Sequence, residues 1–408
     1  MKLQAYIFIA LIFSSFGLAA QNDQLAQVQM DVAYLSADLL EGRETGTAGE
    51  LLAAQYLAKR FADLGLSPKG TEGYFQTFEA SASNNPHAKA GTGEKRIGRN
   101  VVAFRDNGAE KTIVLGAHFD HLGYGHFGSL HAGDPAIHNG ADDNASGVAM
   151  ILQLAELTAK MENPAYNFLF IGFSGEELGL YGSKHFVKEP TIELSSINCM
   201  INLDMVGRLN EEKVLVINGV GTSPAWNAML ETIDVHDIEI TTTESGIGAS
   251  DHTSFYLKDL PAIHFFTGQH KQYHKPEDDS HLVNYQGMLE VTDYIMALIS
   301  QINEAEAMAF SKTKDESERQ AARFKVSLGV MPDYTYQKGD GMRVDAVLDG
   351  RAGIKAGMED GDVVTELGGV EVTDMYSYME ALSQFSEGDE AKLKVKRGDK
   401  IVKLKVTF

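Results

Sequence analysis

Strands and helices alternate from Asn100 to about Ala305, and this alternation constrains the fold more than any other feature of the chain. Strands are predicted at Val101–Phe104, Thr112–Ala117, Tyr166–Phe173, Ile197–Leu203, Val214–Ile217, Ile238–Thr242 and Pro261–Phe266. Helices are predicted at Ser146–Lys160, Leu178–Lys188, Pro224–Ile233 and Tyr285–Ile302. The strands are continuously apolar, as expected for a sheet that is covered on both faces. The fold class is therefore α/β, with a mixed, largely parallel central sheet flanked by helices.

Several acidic and histidine residues come just after predicted strands. His118 follows one strand, Glu176 and Glu177 follow another, and Asp204 follows a third. In open α/β sheets, the carboxyl ends of the strands form the crevice that binds ligands. Residues that are far apart in the sequence are thus expected to meet at one edge of the sheet.

Five positions are predicted to form one metal site: His118, Asp142, Glu177, Asp204 and His274. One zinc ion needs about three protein ligands in a catalytic site, so five ligands indicate two zinc ions or other divalent metals. Asp142 is predicted to bridge the two ions, because a tight loop can turn both of its carboxylate oxygens inward. His118 and Asp204 would complete one site, and Glu177 and His274 the other.

Two further acidic residues have predicted roles beside the metals. Glu176 is expected to act as the general base, which takes a proton from an activated water and returns it to the leaving amine. Asp120 lies two residues after His118, where its carboxylate could accept the other imidazole N–H and fix the tautomer.

The motifs that carry these residues resemble the zinc exopeptidase family, which includes di-zinc aminopeptidases, glutamate carboxypeptidases and glutaminyl cyclases. The matching stretches are His118–Asp120, Gly140–Gly147, Ser174–Glu177, Asn202–Met205 and Tyr273–Pro276, within a similarity that spans about Ala33 to Ile302. The resemblance implies the ligand roles given above and a cis peptide bond between Asp142 and Asp143. It also implies that Tyr273 lies over the substrate carbonyl and donates to the developing oxyanion, although a plain stacking role beside His274 stays open.

The stretch Gly248–His252 resembles the loop of this family that lies near the substrate pocket. Asp251 or His252 would then shape the pocket or hold the substrate amine. Alternatively, Ser250 or Asp251 caps a short helix that follows.

Residues 1–20 have the pattern of a secretory signal peptide, with Lys2 ahead of a short apolar core and small residues before Gln21. We therefore expect an exported protein, periplasmic or extracellular, whose mature chain of residues 21–408 has no membrane span. The formal net charge of −22 argues against nucleic acid as a partner. The single cysteine, Cys199, excludes an internal disulfide.

The chain changes character after the α/β region, which is predicted to end near residue 305. Residues 306–322 form a charged linker, and residues 323–408 a small β-rich domain with one main helix. This last region resembles a PDZ domain, with Ser327–Val330 at the position of the carboxylate-binding loop and Gly350–Met358 as the small-residue helix. The resemblance implies that a peptide C-terminus adds to the domain as an extra strand. A spacer or lid role is the alternative.

The leading functional hypothesis is a metallo-aminopeptidase that removes N-terminal residues from peptides. A glutaminyl cyclase-like transferase, an inactive peptide-binding protein and a carboxypeptidase are the alternatives. Arg208 is the arginine nominated to bind a substrate carboxylate in the carboxypeptidase hypothesis.

Overall fold

The computed structural model describes residues 22–82, 93–313 and 326–408, apart from residues 334, 335, 337, 349 and 399. The predicted signal peptide lies outside the described residues. So do residues 83–92 and most of the predicted charged linker.

The larger part of the chain is built on a nine-stranded sheet. Its strands are β1 (Ser67–Pro68), β2 (Phe75–Ala82), β3 (Glu94–Arg105), β4 (Thr112–His118), β5 (Asn167–Phe173), β6 (Ile197–Leu203), β7 (Val214–Asn218), β8 (Glu239–Thr243) and β9 (Ala262–Phe266). They lie in the order β1-β3-β5-β4-β6-β9-β7-β8, and β2 pairs with β3. The four central strands β5, β4, β6 and β9 run parallel, whereas β3 and β7 run antiparallel to their central neighbours. The sheet is therefore mixed, with a parallel centre.

Helices cover both faces of this sheet. They are α1 (22–35), α2 (Ala48–Asp63), α3 (Gly147–Thr158), α4 (Tyr181–Lys188), α5 (Ala225–Leu230), α6 (His252–Tyr256) and α7 (Tyr285–Glu304). Every residue of β4, β5 and β6 is buried, so these strands contribute side chains to both apolar layers. One layer packs against α2, α3 and α7, and a second, smaller one packs against α4 and α6.

The predicted fold class is confirmed, and each predicted strand of the larger region is present, although β3 begins seven residues before the predicted Val101. Helix α4 begins three residues later than predicted. The main chain of 176–180 makes a tight turn, in which Leu180 has a φ of 61° and the N–H groups of Gly179 and Leu180 both donate to the Glu176 carbonyl. This turn leaves Glu176 and Glu177 in a loop at the end of β5.

The C-terminal part forms a separate β-rich unit, as predicted, and its sheet is antiparallel. Its strands are β10 (Val330–Pro332), β11 (Met342–Val347), β12 (Val363–Leu367), β13 (Val370–Glu371), β14 (Glu390–Arg397) and β15 (Lys400–Thr407), with helices α8 (Ala352–Ala356) and α9 (Met375–Leu382). The main order is β10-β11-β12-β14-β15, so β10 is an edge strand. Its core includes Leu328, Val364 and Leu393 and is distinct from the core of the larger sheet.

None of the helices within the described residues is both long enough and apolar enough to cross a membrane.

Candidate metal centre

Three side chains converge at the end of the parallel strands to form the first group of donor atoms. The Nε2 atom of His118, at the end of β4, lies 3.3 Å from Oδ1 of Asp143 and 3.3 Å from Oδ1 of Asp204. His118 is almost completely buried, and Asp143 and Asp204 have little exposed side-chain surface. All three donor atoms therefore point into the same small space.

A second group of donor atoms uses the other oxygen of the same aspartate. The Nε2 atom of His274 lies 3.2 Å from Oδ2 of Asp143 and 3.3 Å from Oε2 of Glu177. Zinc holds nitrogen and oxygen ligands at about 2.0–2.2 Å, which puts tetrahedral ligand atoms roughly 3.3–3.5 Å apart. The donors in both groups have close to this spacing. The donor spacing therefore fits metal ligands, and Asp143 contributes one carboxylate oxygen to each group.

Asp142, the predicted bridging ligand, lies outside this cluster, and the prediction is corrected to its neighbour Asp143. The Asp142 Oδ1 atom accepts a hydrogen bond of 2.6 Å from the Gly207 N–H, and its Oδ2 atom faces Nε2 of His270 at 3.2 Å. Consecutive side chains of the tight turn at 141–146 leave it in different directions, so only one of the two carboxylates reaches the donors. The cis peptide bond also differs from the prediction, since it joins Asp143 to Asn144.

The turn that carries Asp143 is held from behind by Asp278, which is fully buried. Its Oδ2 atom accepts hydrogen bonds from the backbone N–H groups of Asp142 (2.9 Å) and Asp143 (3.0 Å). Its carbonyl oxygen accepts another from the Ala141 N–H at 2.9 Å. A carboxylate that accepts two backbone N–H bonds is a strong positional anchor, so Asp278 fixes the placement of the Asp143 side chain.

Asp120 is close to His118, but its carboxylate does not accept the imidazole N–H, so that prediction is wrong. The Nδ1 atom of His118 lies 3.2 Å from the backbone carbonyl oxygen of Asp120 and 3.8 Å from its carboxylate. The carboxylate instead accepts hydrogen bonds from the Thr45 hydroxyl (2.8 Å) and the Glu176 N–H (3.2 Å). The carbonyl thus orients the ring, and the side chain ties the Glu176 backbone to the loop at residue 45.

A pocket opens above the donor atoms. It is lined by His118, Asp143, Glu176, Glu177, Asp204, Met205, Ala249, Tyr273 and His274. Glu176 is the lining acid that belongs to neither donor group. Removal from water and the nearby carboxylates of Glu177 and Asp204 raise the pKa of Glu176 well above its ordinary value, although His118 opposes the shift. A carboxyl group with this environment is suited to accept and release a proton.

Tyr273 stacks on His274, with ring centroids 3.8 Å apart and an angle of 23° between the planes. Loss of solvent contact and the carboxylates of Asp143, Glu177 and Glu176 raise the pKa of Tyr273 well above its ordinary value. The phenol therefore keeps its proton and can donate a hydrogen bond into the pocket.

Ser250 supports one of the donors, a role that the sequence analysis did not assign. Its hydroxyl donates to Oδ2 of Asp204 at 2.7 Å and accepts from the Asn202 side-chain amide at 2.7 Å. Helix α6 follows with Asp251 at its N-cap, but no side chain caps it. Burial raises the pKa of Asp251 to about 7, a shift that His118 opposes.

Two family models match the chain. Residues 100–299 match peptidase family M28, and residues 314–408 match the PDZ domain. The chain carries a peptidase family M28 domain followed by a PDZ domain.

Among curated proteins, the chain is similar to "Aminopeptidase YwaD" of Bacillus subtilis, with 28% identity over 173 residues. This match covers 39% of the chain and 37% of the B. subtilis protein, so it does not extend over most of that relative.

Two solved structures share the fold of the M28 domain. One is BSAP, a zinc aminopeptidase from Bacillus subtilis, with a TM-score of 0.55, 18% identity, and coverage of 71% of this chain and 98% of that one. The other is a Porphyromonas gingivalis glutaminyl cyclase, with a TM-score of 0.52, 17% identity, and coverage of 68% and 98%. At these identities the likeness establishes the fold.

Arg43 is a buried residue near the donor cluster that the sequence analysis missed. Its guanidinium donates to the carbonyl oxygens of Leu35, Phe119 (2.7 Å), Asn139 (2.6 Å) and Gly140 (2.9 Å). Burial lowers the pKa of Arg43 to about 10, while nearby carboxylates, Asp143 first among them, oppose this shift. Arg43 thus remains a cation behind the donor cluster, and it joins the loops that carry His118 and Asp143. The glycine-rich stretch around it in the sequence was the available signal.

Proposed function

We propose that the M28 domain is a metallo-aminopeptidase that hydrolyses N-terminal residues from peptides. The observation that carries this proposal is the position of Asp143, whose two carboxylate oxygens face two separate groups of donors. An arrangement of this kind suits two metal ions that share one carboxylate.

The proposed zinc ligands are His118, Asp143 and Asp204 for one ion, and Asp143, Glu177 and His274 for the other. When bound, the two ions would supply Lewis acidity that activates a water molecule and polarises the substrate carbonyl. Other divalent metals of similar preference would fit the same donors.

Glu176 is proposed as the general base. Its carboxylate takes a proton from the attacking water and transfers it to the amine nitrogen as the peptide bond breaks. The tight turn at 176–180 and the bond from the Glu176 N–H to Asp120 hold the backbone of Glu176 beside the donors. Tyr273 is proposed to donate its phenolic proton in a hydrogen bond to the carbonyl oxygen as negative charge develops there.

A glutaminyl cyclase-like activity is the second candidate, because a solved glutaminyl cyclase shares the fold. The two donor groups favour the peptidase, since each of them contains three residues that could bind a metal ion. The carboxypeptidase hypothesis loses its nominated residue: the Arg208 guanidinium donates to the Leu282 carbonyl at 2.5 Å and to the Gln272 side chain at 3.1 Å. These bonds hold the Arg208 guanidinium against neighbouring loops of the protein.

For the PDZ domain we propose binding of a peptide C-terminus along β10. This strand pairs with β11 on one side and is the edge of its sheet, and an edge strand is the usual site for an added strand. Gly329, with a φ of 69°, places the turn that precedes it. We also keep as proposals the signal peptide at residues 1–20, export to the periplasm or the extracellular space, and domain limits at residues 305 and 323.

A small substrate panel tests the proposed activity. The panel contains a peptide with a free N-terminus, the same peptide with an acetylated N-terminus, and one that begins with glutamine. We expect release of the N-terminal residue from the first peptide, none from the second, and loss of activity with a metal chelator. Cleavage from the C-terminus of the blocked peptide, or cyclisation of the glutamine peptide without hydrolysis, would contradict the proposal.

A further inference from the structure

His121 is a buried histidine beside the second donor group. It follows Asp120 in the loop after β4, and 1% of its surface is exposed. Its Nδ1 atom lies 2.7 Å from Oε1 of Glu177. It belongs to a set with Asp143 and Glu177 whose donor atoms are close enough to hold a metal ion.

The distances distinguish a hydrogen bond from a metal ligand. Ligand atoms around one zinc ion lie roughly 3.3–3.5 Å apart, and the Nε2 atom of His274 has nearly this separation from Asp143 Oδ2 and from Glu177 Oε2. The His121 Nδ1 atom is too close to Glu177 Oε1 for that spacing and, at 3.9 Å, too far from Asp143 Oδ2. A separation of 2.7 Å is the length of a charge-assisted hydrogen bond.

The tautomer follows from the surroundings of the ring. The His121 Nε2 atom is buried and has no hydrogen-bond partner among the described residues. A proton on that atom would be a buried donor without an acceptor, which is costly. The neutral ring with its proton on Nδ1 avoids this cost and donates to the Glu177 carboxylate.

The ring is also held in place by its packing. Gly140 has a φ of 54°, and a Cβ atom built there would lie 2.5 Å from Cδ2 of His121. The His121 N–H donates to the Arg43 carbonyl at 3.3 Å. These two contacts therefore hold the His121 ring in one orientation, with Nδ1 toward Glu177.

We propose that His121 is a positioning residue for the second zinc site. Its Nδ1–H engages Oε1 of Glu177 and so presents Oε2 to the ion that His274 and Asp143 share. This inference rests on the proposed two-zinc function and deepens it, because it assigns one of the two sites a supporting hydrogen bond of its own.

Zinc titration against a competing chelator tests the proposal on three full-length variants. His121→Ala removes the donor, and His121→Asn keeps an N–H close to the position of Nδ1. Leu122→Ala is the matched control, since Leu122 is buried and lines the same small pocket beside Glu177 but donates no hydrogen bond. Substitution of a residue that orients a metal ligand through a hydrogen bond typically lowers metal affinity by about 10–100-fold.

We expect His121→Ala to bind the first equivalent of zinc as the wild type does and the second about 10–100-fold more weakly. His121→Asn should recover most of that loss, and Leu122→Ala should bind both equivalents normally. The proposal is overturned if His121→Ala binds both equivalents with wild-type affinity, if both equivalents weaken together, or if His121→Asn is as weak as His121→Ala. A wild-type protein that binds fewer than two equivalents would instead refute the proposed function. Unfolding midpoints of the metal-depleted variants show that each one is folded.

Discussion

At the scale of single residues, the assignment of the bridging ligand depends on two adjacent aspartates. Asp143 faces both donor groups, whereas Asp142 accepts a bond from the Gly207 N–H. Asp143→Asn removes the charge and one of the two oxygens that the metals would share. Asp142→Asn keeps an oxygen that can still accept from Gly207. The two substitutions are therefore a matched pair.

We predict that Asp142→Asn still binds two equivalents of zinc, and that Asp143→Asn binds fewer than two under the same conditions. Hydrolysis of the free-N-terminus peptide by Asp143→Asn should fall by more than about 100-fold. Removing a ligand shared by both metals should reduce activity more than removing a residue that only orients a ligand. Metal analysis after gel filtration measures the stoichiometry. The reverse pattern, with zinc lost from Asp142→Asn and kept by Asp143→Asn, would restore the assignment made from the sequence.

Glu176 provides a second residue-scale prediction. Glu176→Gln keeps the size of the side chain and removes its ability to take a proton. We expect the peptide turnover rate to fall by about 100–10,000-fold, the usual contribution of general acid–base catalysis, while zinc content stays at two equivalents. Turnover rate and bound zinc are measured on the same preparation. Full activity in this variant would assign the base elsewhere.

At the scale of secondary structure elements, α2 and β3 are joined through a buried acid. Glu50 in α2 is fully buried, pairs with Arg99 of β3, and accepts a 2.9 Å bond from the Ser174 hydroxyl. Burial raises the pKa of Glu50 from 4.5 to about 7, and Arg99 opposes the shift. The folded protein thus holds a proton on Glu50 at pH values where the unfolded chain has lost it.

This difference predicts how stability depends on pH. The contribution of the protonated acid is complete below about pH 4.5 and is lost as the pH rises through about 7. Glu50→Gln lacks this titration. The difference in unfolding free energy, wild type minus variant, should therefore fall by up to about 3 kcal/mol over that range. Denaturant unfolding at several pH values measures it, and a difference that stays constant with pH would show that Glu50 is already ionised.

The elements themselves were the most predictable part of the molecule. Strands such as Ile197–Leu203 are buried along their whole length, so their continuous apolar sequence identifies them directly. The strand β2 was not predicted, because its polar residues, such as Gln76 and Glu79, break the apolar pattern. Helix α4 was extended too far toward its N-terminus, because the pattern of its residues does not record the positive φ of Leu180.

The motifs that form the site could be predicted from the sequence. Which individual side-chain atoms face the donor groups could be predicted less well. Strand ends brought His118 and Asp204 to one edge of the sheet, as the topology requires. Two identical neighbours, Asp142 and Asp143, could not be told apart, since the direction of each side chain depends on Asp278 more than 130 residues later. His121 and Glu177 are 56 residues apart, and their contact appears when β4 and β5 pair in parallel.

At the scale of the whole molecule, the M28 domain and the PDZ domain have separate cores and separate proposed ligands. The acids that form the candidate metal centre are concentrated within the M28 domain, and Arg43 is a buried cation behind them. Two divalent cations would balance the remaining negative charge at the end of the sheet. The proposed chemistry therefore depends on the binding of two zinc ions at one shared carboxylate.

The most direct test is anomalous X-ray diffraction at the zinc edge from crystals of the zinc-loaded protein. We predict two peaks about 3.5–4 Å apart, each about 2.0–2.2 Å from a different carboxylate oxygen of Asp143. One peak alone, or a pair of peaks that have Asp142 between them, would contradict the account.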